Sequence, residues 1–499
     1  MLERALYVFI LSLLIHLSYA QSNIVYVHPE DDLSEIVKKA SEVRPTERQL
    51  RWQRLELTAF IHFGMNTFTG REWGDGKTPP ETFNPSNLDA KQWVTTLKNS
   101  GFKQVILTAK HHDGFCLWPS KYTEYSVKNS AWKQGRGDVV REVAEACHDL
   151  NVEFGIYLSP WDRNNPKYGE GAPYNTFFIN QLTELLTQYG TIDEVWFDGA
   201  NGEGPSGKKQ EYDFENWYKT IRQLQPQAVI AVMGPDVRWV GTETGVGRET
   251  EWSVVPVDEQ QIEKIAANAQ QDVNFKPLGS SMKKDLGSRD AIKKAKALVW
   301  YPAETDVSIR PGWFYHEEED DKVKTAKQLM DIYFTSVGRN SVLLLNVPPD
   351  KQGRIAASDI KTLMKWKKQR ETLFSKNLLQ GSRMESTGNG TLSDLLDRTD
   401  ITAIKGKDTT LVLEFEFKKE VTFNVLKLQE DISKGQRVEQ FILEVKQNGG
   451  WEKVAEGSTI GYKRLLRFSP LKAHQIRLRL YARNQPLLAS MGLYEAVTH

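Results

Sequence analysis

The chain is short of cysteine, of net charge and of long apolar runs, and each shortage excludes a class of protein. Two cysteines in 499 residues cannot build a disulfide-dense scaffold or a four-cysteine zinc site. Lys plus Arg number 65 and Asp plus Glu number 65, so the formal charge is zero. That balance removes the basic footprint of a nucleic-acid binder and the polybasic face of a membrane-surface protein. Beyond the N-terminus, no segment reaches the roughly 18 apolar residues of a membrane helix. No Gly-x-Gly-x-x-Gly follows the first strand-like run, so nothing marks a dinucleotide site there, and no internal repeat is evident. The bulk composition is ordinary, with 39% hydrophobic and 26% charged residues, which argues against long disorder. The length suggests two or three domains.

Residues 1–20 read MLERALYVFILSLLIHLSYA. An apolar stretch ends in Ser18-Tyr19-Ala20, with small residues at the two positions a signal peptidase reads. The expectation is a cleaved leader ending at Ala20 and a secreted or periplasmic protein. No Cys stands at the cleavage point, so no lipid anchor is expected.

From there the chain alternates short apolar runs with helical patterns. Strands are expected at 57–63, 104–109, 153–159, 193–198, 228–233, 297–301 and 341–347, with helices at 90–99, 138–150, 175–189, 211–224 and 322–337. Repeated strand-then-helix means a parallel sheet with crossover helices, and an α/β fold of (β/α)8-barrel type over 21–375 fits best. Past residue 375 the pattern becomes period-2, at 411–417, 423–429, 440–446, 465–468 and 475–481. An all-β sandwich over 376–499 is expected.

Polar and aromatic residues gather just after the strands, where a barrel builds its active site. His62 follows the first run, His111-His112-Asp113 the second, Tyr157 to Asp162 the third and Trp196-Phe197-Asp198 the fourth. Hydrogen-bonding groups beside aromatic planes suit a sugar, whose hydroxyls and C–H faces need both. The chain has 14 Trp, and Trp73, Trp118, Trp161, Trp196, Trp239, Trp252 and Trp313 fall at or near expected strand ends or loops. Asp198 reads equally as a catalytic carboxylate and as a helix N-cap. A metal site on His62, His111, His112 and Asp198 is the competing reading, but no His-x-His spacing sharpens it, so no metal or cofactor is expected. Glycoside hydrolysis needs a second carboxyl. Glu243, Glu249, Glu251, Glu304 and Asp306 are all available, and spacing does not choose among them.

The motifs HFGMNTF at 62–68, KHHDGFCLWPS at 110–120, GIYLSPWDRN at 155–164, EVWFDGAN at 194–201 and LLLNVPPDKQGRI at 343–355 together resemble the α-L-fucosidases of glycoside hydrolase family 29. The resemblance implies a retaining double displacement on terminal α-L-fucose, with fucosylated glycans as partners. It implies Asp198 as nucleophile, His62, His111, His112 and Tyr157 as binders of the sugar hydroxyls, and Glu72, Trp73 and Trp196 as pocket lining. Trp313 resembles an aromatic packed on the fucose methyl face. The stretch VRWVGTETGVGRETEWSVVP at 237–256 resembles the α-1,3/1,4-specific branch. There the acid/base lies in Trp-Val-Gly-x-Glu, here Glu243, with Glu251 in reserve and Arg248 as a further sugar contact. The C-terminal part resembles a discoidin-like, carbohydrate-binding-type sandwich. It carries no diagnostic binding motif and reads as a structural cap on the barrel.

Overall fold

The computed structural model describes residues 23–257, 287–396 and 402–496; the leader expected at 1–20 lies outside them. Eight strands follow one another around a ring: β1 Leu57–Ile61, β2 Gln104–Lys110, β3 Glu153–Leu158, β4 Glu194–Phe197, β5 Val229–Val232, β6 Arg238–Trp239, β7 Ala303–Ser308 and β8 Ser341–Asn346. Every ladder between ring neighbours is parallel, and β8 returns to β1 with Leu343 opposite Leu57. A single bridge, Ala231 to Val237, completes the ring between β5 and β6. β1, β2 and β8 are buried along their whole length, because barrel side chains cover one face and helices the other.

Helices α1 Ala90–Asn99, α2 Val139–Asp149, α3 Ala172–Gln188 and α4 Phe214–Leu224 connect the first five strands, and α5 Ala326–Thr335 leads into β8. Asp89, Asp138 and Asp213 cap α1, α2 and α4 by accepting a backbone N–H three residues on. Such a cap contributes about 1 kcal/mol. The cap of α4 is therefore Asp213, and Asp198 has no capping role.

Two elements correct the expectation. The apolar run at 297–301 is not a barrel strand. Ala297–Trp300 pairs antiparallel with Ile24–Tyr26 and with Val254–Val257 outside the ring. Its Leu298 and Trp300 are buried against Ile36, Val37 and Ala40 of an N-terminal helix, Leu33–Glu42. The seventh barrel strand is instead β7, whose sequence AETDVS hides three carboxyl or hydroxyl side chains inside the ring. β6 is only two residues long. It follows β5 after a tight turn in which Asp236 Oδ2 accepts Ile230 N–H at 2.9 Å, so no helix separates the two. Between β6 and β7, residues 258–286 lie outside the described part.

Trp118 and Trp252 are core residues, 1% and 2% exposed. Cys116 and Cys147 are buried free thiols, and burial pushes both pKa values up. Among the described residues no helix is long and apolar enough to cross a membrane.

Helix α6, Ala357–Leu373, leads to an antiparallel all-β domain: β9 Arg383–Ser386, β10 Ile404–Lys405, β11 Thr410–Glu430, β12 Val438–Gln447, β13 Gly450–Gly457, β14 Arg464–Ala482 and β15 Leu487–Tyr494. The runs expected at 411–417 and 423–429 form one strand with register shifts between Glu416 and Val425. Both halves of β11, through Leu413, Phe415, Leu426 and Leu428, enter one apolar core with Phe441, Ile476, Leu478 and Leu493. This domain is stitched to the barrel. Asn340 Oδ1 accepts from Tyr462 N at 2.7 Å, and its Nδ2 donates to Glu251 O at 2.8 Å. Ser253 N donates to Gln436 Oε1 at 2.7 Å, and Arg464 donates to Glu249 O.

Candidate active site

The C-terminal ends of the strands open on one side of the ring, and their side chains converge there as barrel geometry requires. His62 follows β1, His111 and His112 follow β2, Tyr157 lies near the end of β3, Trp196 lies near the end of β4 and Asp198 directly follows it. Asp198 is held from two sides. Tyr157 Oη donates to its Oδ2 at 3.1 Å and Ala200 N to its Oδ1 at 2.7 Å. His112 Nε2 lies 3.7 Å from the same Oδ2. Tyr157 is 1% exposed; burial and the Asp198 charge raise its pKa, so its hydroxyl remains a donor.

Three histidines line the pocket, and burial lowers the pKa of each: His62 to about 3, His111 well below the usual imidazole value, and His112 more modestly because the Asp198 charge opposes burial. Burial thus favours the neutral imidazole, which presents one N–H and one bare nitrogen. Ser159 Oγ donates to Trp161 O at 2.6 Å and sits 2.8 Å from His112 Nδ1. Its single proton is used, so His112 Nδ1 is the donor and Nε2 is bare. Asn66 Nδ2 donates to Glu72 O at 3.0 Å and lies 3.5 Å from His111 Nδ1. That nitrogen is then an acceptor and His111 Nε2 carries the hydrogen.

Aromatic rings form the walls. Tyr157 stacks on Trp196 at 5.3 Å between centroids, and Phe60 meets Trp196 edge-on at 5.1 Å. Trp313 lies 5.0 Å from His62 on one side. Trp73, 46% exposed, stands edge-on to His112 and Trp161 on the other. Glu72 secures the Trp313 side. Its carboxylate accepts Trp313 N–H at 2.7 Å and meets His316 Nε2 at 2.8 Å. In this arrangement Glu72 anchors a pocket loop with the oxygens that resemblance assigned to the lining.

Glu243 sits on the loop after β6, and its Oε2 accepts Trp313 Nε1–H at 3.3 Å. Glu243 and Thr244 are exposed on this loop, yet desolvation of the Glu243 carboxyl raises its pKa most, and the charges of Asp198 and Glu72 raise it further against the indole bond. The backbone of this loop is laid along β7, with Val240 N donating to Glu304 O and Gly245 N to Asp306 O.

The other candidates stand elsewhere. Glu251, expected as the reserve acid, is 1% exposed and lies between Arg238 and Arg248. Burial works to raise its pKa, but the two guanidinium charges outweigh it and hold the carboxyl below its usual range. Arg248, expected as a sugar contact, is buried and points its guanidinium at Glu251, 3.3 Å away. Glu304 and Asp306 lie inside the ring, bonded to the indole N–H groups of Trp196 and Trp239 at 2.7 and 2.8 Å. Burial raises both pKa values well above the carboxylate range. Asn346, Asn66 and Ser159 complete the site without having been singled out from the sequence, although all three stand in quoted motifs. Among the described residues no group of three or more His, Cys, Asp or Glu side chains could hold a metal ion.

Comparison with known proteins places this arrangement. A family model described as alpha-L-fucosidase matches residues 52–368. "Alpha-L-fucosidase 1" of Arabidopsis thaliana is 45% identical over 466 residues, covering 90% of this chain and 87% of that one. A glycoside hydrolase 29 family member from an unknown rumen bacterium superimposes with a TM-score of 0.77 at 42% identity, over 91% of this chain and 78% of its own. A GH29 fucosidase of Ruminococcus gnavus, solved in complex with fucose, gives 0.80 at 34% identity, over 91% and 95%.

Proposed function

The chain belongs to the alpha-L-fucosidase family, glycoside hydrolase family 29, and from that premise we propose that it releases terminal α-L-fucose from oligosaccharides or glycoconjugates with retention of configuration. Asp198 attacks C1 while Glu243 gives its proton to the departing oxygen. The fucosyl ester on Asp198 is then hydrolysed by water from which Glu243 takes a proton. The observation that carries this reading is the unlike setting of the two carboxyls. Asp198 is held by donors, as a nucleophile should be, and Glu243 is pushed toward its protonated form, as an acid should be. His62, His111 and His112 meet the sugar hydroxyls, and Trp73, Trp196 and Trp313 meet its C–H faces.

The substrate class is α-1,3- or α-1,4-linked fucose. This rests on the Trp239-Val240-Gly241-Thr242-Glu243 segment and its resemblance to that branch. Incubation with oligosaccharides carrying α-1,2, α-1,3 or α-1,4 fucose, followed by product analysis, tests it. Fucose is expected from the second and third only, at equal rates with and without EDTA. Release from the α-1,2 substrate assigns the broad-specificity branch, binding without release makes the protein a fucose binder, and loss in EDTA makes it a metal-dependent hydrolase.

The N-terminal pattern supports export to the periplasm or medium. N-terminal sequencing of the mature protein is expected to begin at Gln21; an intact Met1 in the exported fraction overturns the cleavage site.

A further inference from the structure

The LLLNVPP motif ends β8 with Asn346, and nothing in the reaction above uses it. Asn346 is fully buried, and all four of its hydrogen-bonding positions are taken. Oδ1 lies 3.2 Å from His62 N and 2.9 Å from His62 Nδ1. Nδ2 lies 2.9 Å from Ser308 Oγ and 2.7 Å from Trp313 O. The two ends of a side-chain amide have the same shape, so partners must tell them apart. Here two backbone groups do so independently. The His62 N–H can only donate, so it faces oxygen; the Trp313 carbonyl can only accept, so it faces the NH2 group. Both give the same orientation, and the oxygen therefore also faces the His62 imidazole.

We propose that Asn346 is a positioning residue that locks His62 in the Nδ1–H tautomer, leaving Nε2 as a bare acceptor that selects a sugar hydroxyl able to donate. With His112 Nε2 bare and His111 Nε2 protonated, the pocket then presents acceptor, donor and acceptor from three chemically identical side chains. The same amide holds the Trp313 carbonyl, so one side chain sets both a hydroxyl reader and the aromatic wall. The ring is kept neutral by its surroundings. Phe60, Trp313 and Phe314 pack on it, and the titratable groups facing it are His111 at 5.7 Å, Tyr157 at 6.1 Å and His112. Asp198 stands beyond Tyr157, whose hydroxyl it engages.

The proposal rests on the fucosidase reading only for the identity of the sugar, and its first test needs no substrate. In the full chain labelled with 15N-histidine, the His62 resonances are assigned by their loss in His62→Gln. The expected pattern is a protonated Nδ1 and an unprotonated Nε2, unchanged from about pH 8 to about pH 5. An Nε2–H tautomer, or titration within that range, overturns the proposal. The second test is Asn346→Asp. A carboxylate at this position favours the imidazolium, whose Nε2–H cannot accept. The imidazolium forms as pH falls, so KM for an aryl fucoside is expected to rise about tenfold toward low pH while kcat moves less. Asn346→Leu is expected to lose affinity equally at every pH. A pH-independent KM in a folded Asn346→Asp variant overturns the proposal. Absence of turnover in the unmutated enzyme would instead defeat the fucosidase reading and leave the tautomer result standing.

Discussion

Asp198→Ala is expected to lower turnover of an aryl α-L-fucoside by at least about 10⁴-fold, which is about 5 kcal/mol of transition-state stabilisation. The loss is large because no other carboxylate can take over. Glu304 and Asp306 are sealed under indole rings, and Glu251 is committed to two arginines. The truncation also leaves a space on the nucleophile's face of the sugar, bordered by the Tyr157 hydroxyl and the Ala200 N–H. Azide can enter there, form its bond to C1 as the aryloxide leaves, and give the inverted fucosyl azide. Removing the Asp198 charge takes away one of the causes that raise the Glu243 pKa. For a leaving group that departs only with the Glu243 proton, the alkaline limb of this variant's residual or rescued turnover should therefore move to lower pH. Unimpaired turnover in a folded Asp198→Ala protein would end the nucleophile assignment.

Glu243→Ala should separate substrates by leaving group. A sugar alkoxide cannot depart without a proton, so loss of the acid should cost about 10²–10⁴-fold on oligosaccharides. An activated aryl group departs unaided, and its kcat/KM should fall far less. The fucosyl ester then waits for a water molecule with no base beside it, so it accumulates. Azide, which needs no base, should release it as the retained fucosyl azide. The two variants thus give azides of opposite configuration, and product stereochemistry alone tells the two carboxyl roles apart. The alkaline limb of kcat/KM, set by the raised Glu243 pKa, should vanish in this variant. Glu251→Ala makes the contrast. Removing a buried partner of Arg238 and Arg248 should destabilise the fold by about 3–5 kcal/mol, without discriminating between leaving groups. Equal losses on both substrates for Glu243→Ala, with discrimination at Glu251→Ala, would transfer the acid role.

Most of the barrel was legible because its strands are buried on both faces. LTAFI, QVILTAK and SVLLLN advertise themselves as apolar runs broken only by Thr58 and Thr108, with other polar residues confined to their ends. β7 did not, because Glu304 and Asp306 face the barrel interior and are satisfied by Trp196 and Trp239, partners far away in sequence. The apolar run at 297–301 misled for the converse reason: an N-terminal helix, rather than the barrel, buries it. Two-residue β6 offers no periodicity at all. In the site, residues that follow a clear strand were easy to draw together, since a strand end fixes where its side chains point. Arg248 and Glu251 were not, because local sequence does not distinguish a charge at the pocket mouth from one paired behind it. Asn346 was hidden by its type. Asparagine as the last residue of an apolar strand gives no sign of its partners in the sequence, and only the three-dimensional arrangement reveals what its amide holds.

The contacts between the β domain and residues 249–253 bear on modularity. Sandwich domains are often treated as exchangeable appendages, joined by a linker and indifferent to the enzyme they accompany. Here the appendage supplies Gln436, Tyr462 and Arg464 to the frame of the segment that continues from Glu243. A chain shortened to the barrel would leave the Ser253 N–H and the Asn340 amide oxygen without these partners. The unit that evolution can shuffle, and that an engineer can transplant, is therefore barrel and sandwich together.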